Sequence, residues 1–251
     1  MTKDDVVIIA GDFGGVWLGD SRDDEALDWL ENLPFTVAFI DGNHENFDAL
    51  TAYPIEEWHS GKVQRIRPHV LHLMRGQVYE LAGYRFFTMG GAKSHDIEDG
   101  ILKLDDPNFE RKLLMMQRRP NARYRINHIT WWRQGLPTDE EYNEALQNLE
   151  RCDWQVDYII THCAPTSIAY REFRHNEADR LTDFLFFPVL SLWMVLESST
   201  FVEVGVKGRL EMPNAEPHLT GAFISNLKDP ADSLPGLSSY TGIQSNRRGG
   251  D

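Results

Sequence analysis

The sequence predicts an α/β fold with parallel strands, and three observations carry that prediction. Residues 6–10 form an apolar, largely β-branched run halted by Gly11-Asp12, and residues 35–40 form a second run halted by Asp41-Gly42. One helical stripe lies between them, so strand, helix and strand follow one another within the length of a βαβ unit. A third run, 156–160, apolar but for Asp157, leads from another amphipathic helix straight into Thr161-His162. Runs that are apolar throughout, rather than alternating, suit strands covered on both faces.

The remaining elements follow from local signals. Ser21 and Asp24 predict a capping box for the first helix, with Ala26, Leu27, Leu30 and Leu33 on its apolar stripe and Pro34 as its stop. Residues 78–81 and 85–89 flank Ala82-Gly83 and read as a hairpin, which Gly90-Gly91-Ala92-Lys93-Ser94-His95-Asp96 leaves as a loop. Residues 97–136 are polar and irregular, with basic clusters such as Arg118-Arg119, and are expected to form an insertion over the rim of the sheet. Pro137-Thr138 with Glu141 marks a helix start, and Tyr142, Ala145, Leu146 and Leu149 give its apolar face. The pattern loses its period after about residue 186, and 225–251 is rich in Ser, Gly, Pro and Asn. One domain over 1–185 and an atypical, partly disordered tail over 186–251 are therefore expected.

Composition bounds the function. Seven Trp, eight Tyr and 13 Phe need burial, which excludes disorder as the overall state. A net charge of -14 argues against a nucleic-acid partner held by bulk electrostatics. An acidic chain still acts on phosphate esters where bound cations reverse the local sign. Cys152 and Cys163 make no disulfide framework, and acidic residues occupy Asp4-Asp5 where a signal peptide needs basic ones. The most apolar later stretch, 184–196, contains Pro188 and Ser191 and falls short of the roughly 20 residues a membrane span needs. A cytoplasmic protein with reduced thiols and no membrane segment is expected.

The candidate chemistry lies at the strand ends. Asp12, Asn43 with His44, and His162 each follow a predicted strand, and parallel strands present those ends along one edge, where ligands of open α/β sheets bind. Asp, Asn and His together suit a divalent cation such as Mn, Fe or Zn. Singly, each is an ordinary loop residue; their recurrence in order, each after an apolar run, is the signal. His95, leaving the Gly90-Gly91 turn, is a candidate substrate contact. Arg118, Arg119, Arg123 and Arg125 are either phosphate contacts or a solvated face, and Trp131-Trp132 are expected to cover the core.

With Gly11-Asp12, Gly42-Asn43-His44-Glu45 and Thr161-His162 in that order, residues 5 to about 185 resemble the calcineurin-like metallophosphoesterases. Gly14-Gly15-Val16-Trp17, Gly90-Gly91-Ala92 and Trp131-Trp132-Arg133 resemble a bacterial or phage-type branch of that family. The resemblance implies a β-sandwich flanked by helices, a pair of divalent metals, and hydrolysis of phosphomonoesters or phosphodiesters by metal-activated water. Asp12 would bridge the metals, while Asn43 and His162 would ligate one of them. His44 would not bind metal but hand a proton to the leaving oxygen, or stabilise charge developing there, its ring oriented by Glu45 or a backbone carbonyl. Small phosphate esters or phosphoproteins would be the substrates. The family's Asp-x-His block and its closing Gly-His-x-His block have no counterpart: no His precedes Gly11, and His218 stands in Pro217-His218-Leu219. The domain is therefore expected to be incomplete at its N-terminus and to hold at most a partial metal site. The alternative expectation is a catalytically impaired relic acting at most as a binding module. A missing core strand would leave an unpaired sheet edge open to another copy of the chain.

Overall fold

Residues 1–163, 180–184, 195–196 and 221–224 are described by a computed structural model of the chain. The expected loose tail, including Pro217-His218, lies outside these residues except for two short strands. Strands β1 (Val6–Ala10) and β2 (Thr36–Ile40) pair in parallel, with Val6 opposite Thr36 and Ala10 opposite Ile40. All ten residues are buried, the reason their sequences show no alternation. Helix α1 (Ser21–Glu31) crosses between them and buries Leu27 and Leu30. Its cap differs from expectation: Asp20 accepts the Arg22 N–H, so no Ser21–Asp24 box forms. Asp23 is drawn into the preceding loop, where Oδ2 accepts the N–H groups of Trp17, Leu18 and Gly19 at 2.8, 2.6 and 2.7 Å.

After the short helix α2 (Phe47–Leu50), capped by Asn46, come three strands that the sequence patterns leave unassigned. These are β3 (Ile55–Trp58), β4 (Gly61–Arg67) and β5 (Val70–Leu73). β5 joins β2 in parallel, and β4 and β3 follow antiparallel, with a register shift between Arg65 and Arg67. The second sheet begins with the hairpin of β6 (Gln77–Leu81) and β7 (Tyr84–Met89). Ala82 and Gly83 at its tip have φ of 51° and 85°, the paired left-handed residues a tight hairpin demands.

Residues 97–136 are more regular than expected. They contain β8 (Gly100–Leu102), α3 (Phe109–Gln117) and β9 (Tyr124–Ile126), with β8 and β9 paired in parallel. Helix α4 (Asp139–Arg151) then forms with the predicted Thr138–Glu141 capping box. It buries Tyr142, Ala145 and Leu149, while Leu146 stays 38% exposed. β10 (Tyr158–Thr161) runs parallel to β7, and α5 (Arg180–Phe184) follows. Strand β11 (Val195–Leu196) pairs with β10, and β12 (Gly221–Ile224) pairs antiparallel with β1. β12 thus occupies the edge beside β1.

The strand orders are β12-β1-β2-β5-β4-β3 and β11-β10-β7-β6. The two sheets face each other over Ile8, Ile40, Val63 and Leu71 on one side and Tyr79, Phe86 and Ile160 on the other. α1 covers the outer face of the first sheet through Leu27 and Leu30 against Val7, Val37 and Phe39. α4 covers the outer face of the second through Tyr142, Ala145 and Leu149 against Phe87, Met89 and Ile159. The result is a mixed α/β arrangement layered helix, sheet, sheet, helix. Among the described residues no helix is long and apolar enough to cross a membrane, and Cys152 and Cys163 form no disulfide.

Candidate functional site

The ends of β1, β2, β7 and β10 deliver four loops to one edge of the sandwich. Gly11 and Asp12 leave β1 with φ of 97° and 50°, a conformation that costs a non-glycine residue about 1 kcal/mol or more. That turn places Asp12 between Gly42 and His162. A Cβ on Gly42 would lie 2.0 Å from Asp12 Oδ1, and one on Gly11 would lie 2.1 Å from His162 Nδ1. Both glycines are therefore required for space, and both stand in the motifs that single out this edge.

Asp12 Oδ1 accepts the His44 N–H at 3.0 Å and lies 3.4 Å from His162 Nε2. His162 Nδ1 is 2.8 Å from the Ala10 carbonyl, which can only accept, so Nδ1 carries the proton. In the neutral ring the Nε2 lone pair then faces a carboxylate oxygen. Two electron-pair donors so placed call for a proton or a cation between them. Ligands bound to one tetrahedral cation at about 2.0–2.1 Å stand about 3.4 Å apart, so this pair fits a divalent metal. Asn43, in the same loop between Gly42 and His44, is buried, and its Nδ2 donates to Ser94 Oγ at 3.2 Å, which leaves Oδ1 as its electron-pair donor. Among the described residues no group of three or more His, Cys, Asp and Glu side chains suits a metal. Asp12 and His162 are thus one carboxylate and one imidazole facing each other.

His44 sits beside this set, one-third exposed, with Nε2 3.5 Å from Asp96 Oδ2. Burial pushes the imidazole below its ordinary value, against the opposing pull of Asp12 and Asp96. Burial alone would raise Asp96, but Arg125 outweighs it, donating Nε–H at 2.6 Å and a second bond from Nη2, and Asp96 falls below the usual range. Asp96 Oδ1 is buried with no hydrogen-bond partner among the described residues.

Glu45 does not orient His44 as expected. It is fully buried and turned the other way, accepting Phe13 N–H at 2.7 Å and Gly14 N–H at 3.3 Å, which ties the loop after β1 to the loop after β2. Burial pushes its carboxyl up to about 8, with Asp12 and Asp41 adding to the effect and the Phe13 and Gly14 bonds opposing it. Asp96 takes the place beside His44. Ser94 and Asp96 both turn toward the site, and His95 between them is exposed, as alternation along an extended segment requires. Nothing local in the sequence links Arg125 to Asp96; only the fold joins them.

A second layer of charge supports the loops. Burial would raise Asp41, but Arg75 and His72 bring it down to about 2. Arg75 donates Nε–H to Asp41 Oδ2 at 2.8 Å, adds an Nη2 bond to the same oxygen, and reaches Gln134 O at 2.7 Å. His72 Nε2 lies 3.2 Å from Asp41 Oδ1, and its Nδ1 lies 2.7 Å from Gln64 Oε1. Of the basic candidates, Arg119 pairs with Asp99 and Arg123 with Glu98, while Arg118 is exposed. Trp132 covers the core, 2% exposed, with Nε1–H donated to Asp48 Oδ2. Comparison of the chain with family models, curated proteins and solved structures yields no match.

Proposed function

We propose that this chain is a metal-dependent phosphoesterase of the calcineurin-like kind, acting in the cytoplasm, with Asp12, Asn43 and His162 as its cation ligands. The observation that supports the reading most is the facing of Asp12 Oδ1 and His162 Nε2 at 3.4 Å, with the ring proton committed to Ala10 O. The two-sheet sandwich with outer helices agrees with the architecture that the motif resemblance implies. When bound, a divalent cation supplies an acidified water and a positive field for a phosphate monoester or diester, small or carried on a protein. Asp12 and His162 bind from opposite sheets, and Asn43 contributes an oxygen without further charge. On this reading His44 gives a proton to the leaving oxygen, a role supported by its N–H bond to Asp12 and its contact with Asp96.

A second reading, an impaired relic that only binds its ligand, is favoured by the donor count. A catalytic zinc site commonly has three protein ligands plus water, and here one of the three is an amide. Metal content after purification with Mn, Fe and Zn, together with turnover of p-nitrophenyl phosphate and its bis ester, separates the two. The phosphoesterase reading expects bound metal that Asp12→Asn or His162→Ala removes. It also expects His44→Ala to keep the metal and lose turnover at least about 100-fold. Metal at background together with no turnover refutes the enzyme and leaves the binding module.

A further inference from the structure

We propose that the outer face of α3 docks into an acidic groove on a second copy of the chain, forming a salt-sensitive two-fold dimer. This inference is independent of the chemistry at the strand ends. α3 buries none of its residues. Arg111, Leu114, Met115 and Arg118 recur at i, i+3, i+4 and i+7 and are all exposed, Leu114 by 49% and Met115 by 56%. The opposite stripe of Phe109, Leu113 and Met116 is half-buried. Neither Arg111 nor Arg118 has an acidic partner among the described residues, whereas Lys112, Arg119, Arg123 and Arg125 all do. Residues 97–136 carry eight Lys and Arg against five Asp and Glu, in a chain whose net charge is -14. The insertion is therefore a basic islet on an acidic body.

The acidic counterpart is a groove of about 770 Å³ between the β3–β4 hairpin and α4, where Glu56, Glu57, Glu140 and Glu144 outnumber the cations Lys62 and Arg151. Glu56 is paired with Arg65 and Glu144 with Lys62. Glu57 and Glu140 have no cationic partner among the described residues, and Ile55 at the groove is 57% exposed. Two unpaired arginines, about 10 Å apart along the helix axis, thus flank two apolar side chains. Across from them stand two unpaired carboxylates beside one apolar side chain. A helix laid into a groove is a recurrent recognition mode. A nine-residue helix face covers only a few hundred Å², well under the roughly 1,200 Å² of a specific interface. A two-fold arrangement uses helix and groove twice and doubles that area. Because charge complementarity drives it, salt should weaken it.

Sedimentation velocity of the full chain over a concentration series, in low and in high salt, provides the test. A dimer in low salt that becomes a monomer in high salt is expected. Arg111→Glu/Arg118→Glu and Glu57→Arg/Glu140→Arg should each be monomeric, since each then opposes like charges, with circular dichroism confirming that both are folded. Mixing the two variants should restore a heterodimer, because both contacts regain opposite charges, and the rescue itself requires folded partners. A monomer in low salt at every concentration overturns the proposal. So does a dimer indifferent to salt and charge reversal, or a mixture that stays monomeric.

Discussion

Replacing Arg75 with Met tests the charge layer beneath the candidate site. The Arg75 side chain is 4% exposed and the Asp41 side chain 1%. Met keeps an unbranched apolar stem but loses the guanidinium, which lies over the Phe47 ring 5.4 Å from its centroid. It removes the bonds to Asp41, Gln134 O and Glu141. Among the described residues His72, 3.2 Å away, then remains the only side chain against the Asp41 carboxylate. Breaking a buried pair on one side costs about 3–5 kcal/mol, a large share of the 5–15 kcal/mol typical of a domain. The sign of the pH effect also follows. Asp41 is depressed from 3.8 to about 2, so it contributes about 2–3 kcal/mol above pH 4 that is lost as pH falls toward 2. Without Arg75, burial is opposed by His72 alone and that contribution shrinks, so the gap between Arg75→Met and the unmodified chain should narrow at low pH. Urea unfolding followed by tryptophan fluorescence, at pH 7 and pH 3, measures both effects. A loss below about 1 kcal/mol at pH 7, or a difference independent of pH, would refute the reasoning.

Glu45 gives a slope of the opposite kind: its carboxyl is raised from 4.5 to about 8, so its stability contribution is full below pH 4.5 and is lost as pH rises to 8. The loss is worth up to about 5 kcal/mol; thermal melts over that window should show it, and Glu45→Gln should flatten it. Gly42→Ala, whose Cβ would meet Asp12 Oδ1 at 2.0 Å and Asp12 N at 2.5 Å, should cost about 1–3 kcal/mol in urea unfolding. Gly14→Ala meets nothing within 4 Å and carries only the strain of φ 63°, so it should cost less. Leu30→Ala, at a fully buried position on α1, should cost about 2–5 kcal/mol, whereas Leu146→Ala, 38% exposed on α4, should cost under about 1 kcal/mol.

Elements buried on both faces were the most legible in the sequence. β1 and β2 announce themselves because helix and sheet exclude water from either side, and α4 because Thr138 and Glu141 complete a reciprocal cap. The β3–β5 segment escapes because Ile55-Glu56-Glu57-Trp58 lies on an exposed edge and a register shift interrupts the alternation of β4. The same division applies to the site. Asp12, Asn43 and His162 were visible because each closes an apolar run. Asp96, Arg125 and the Asp41–His72–Arg75 set were not, since their partners are distant in sequence and only the folded sheets bring them into contact. Glu45 was misassigned because adjacency to His44 says nothing about direction: burial turns it toward Phe13 and Gly14.

Asp12 belongs to the six-stranded sheet and His162 to the four-stranded one, and the ring of His162 is pinned to the last carbonyl of β1. A cation held between them, as proposed, would act as a clasp across the seam of the sandwich. Occupancy should raise the melting temperature of the whole chain, and a core substitution that lets one layer slip over the other should weaken the clasp without touching either residue.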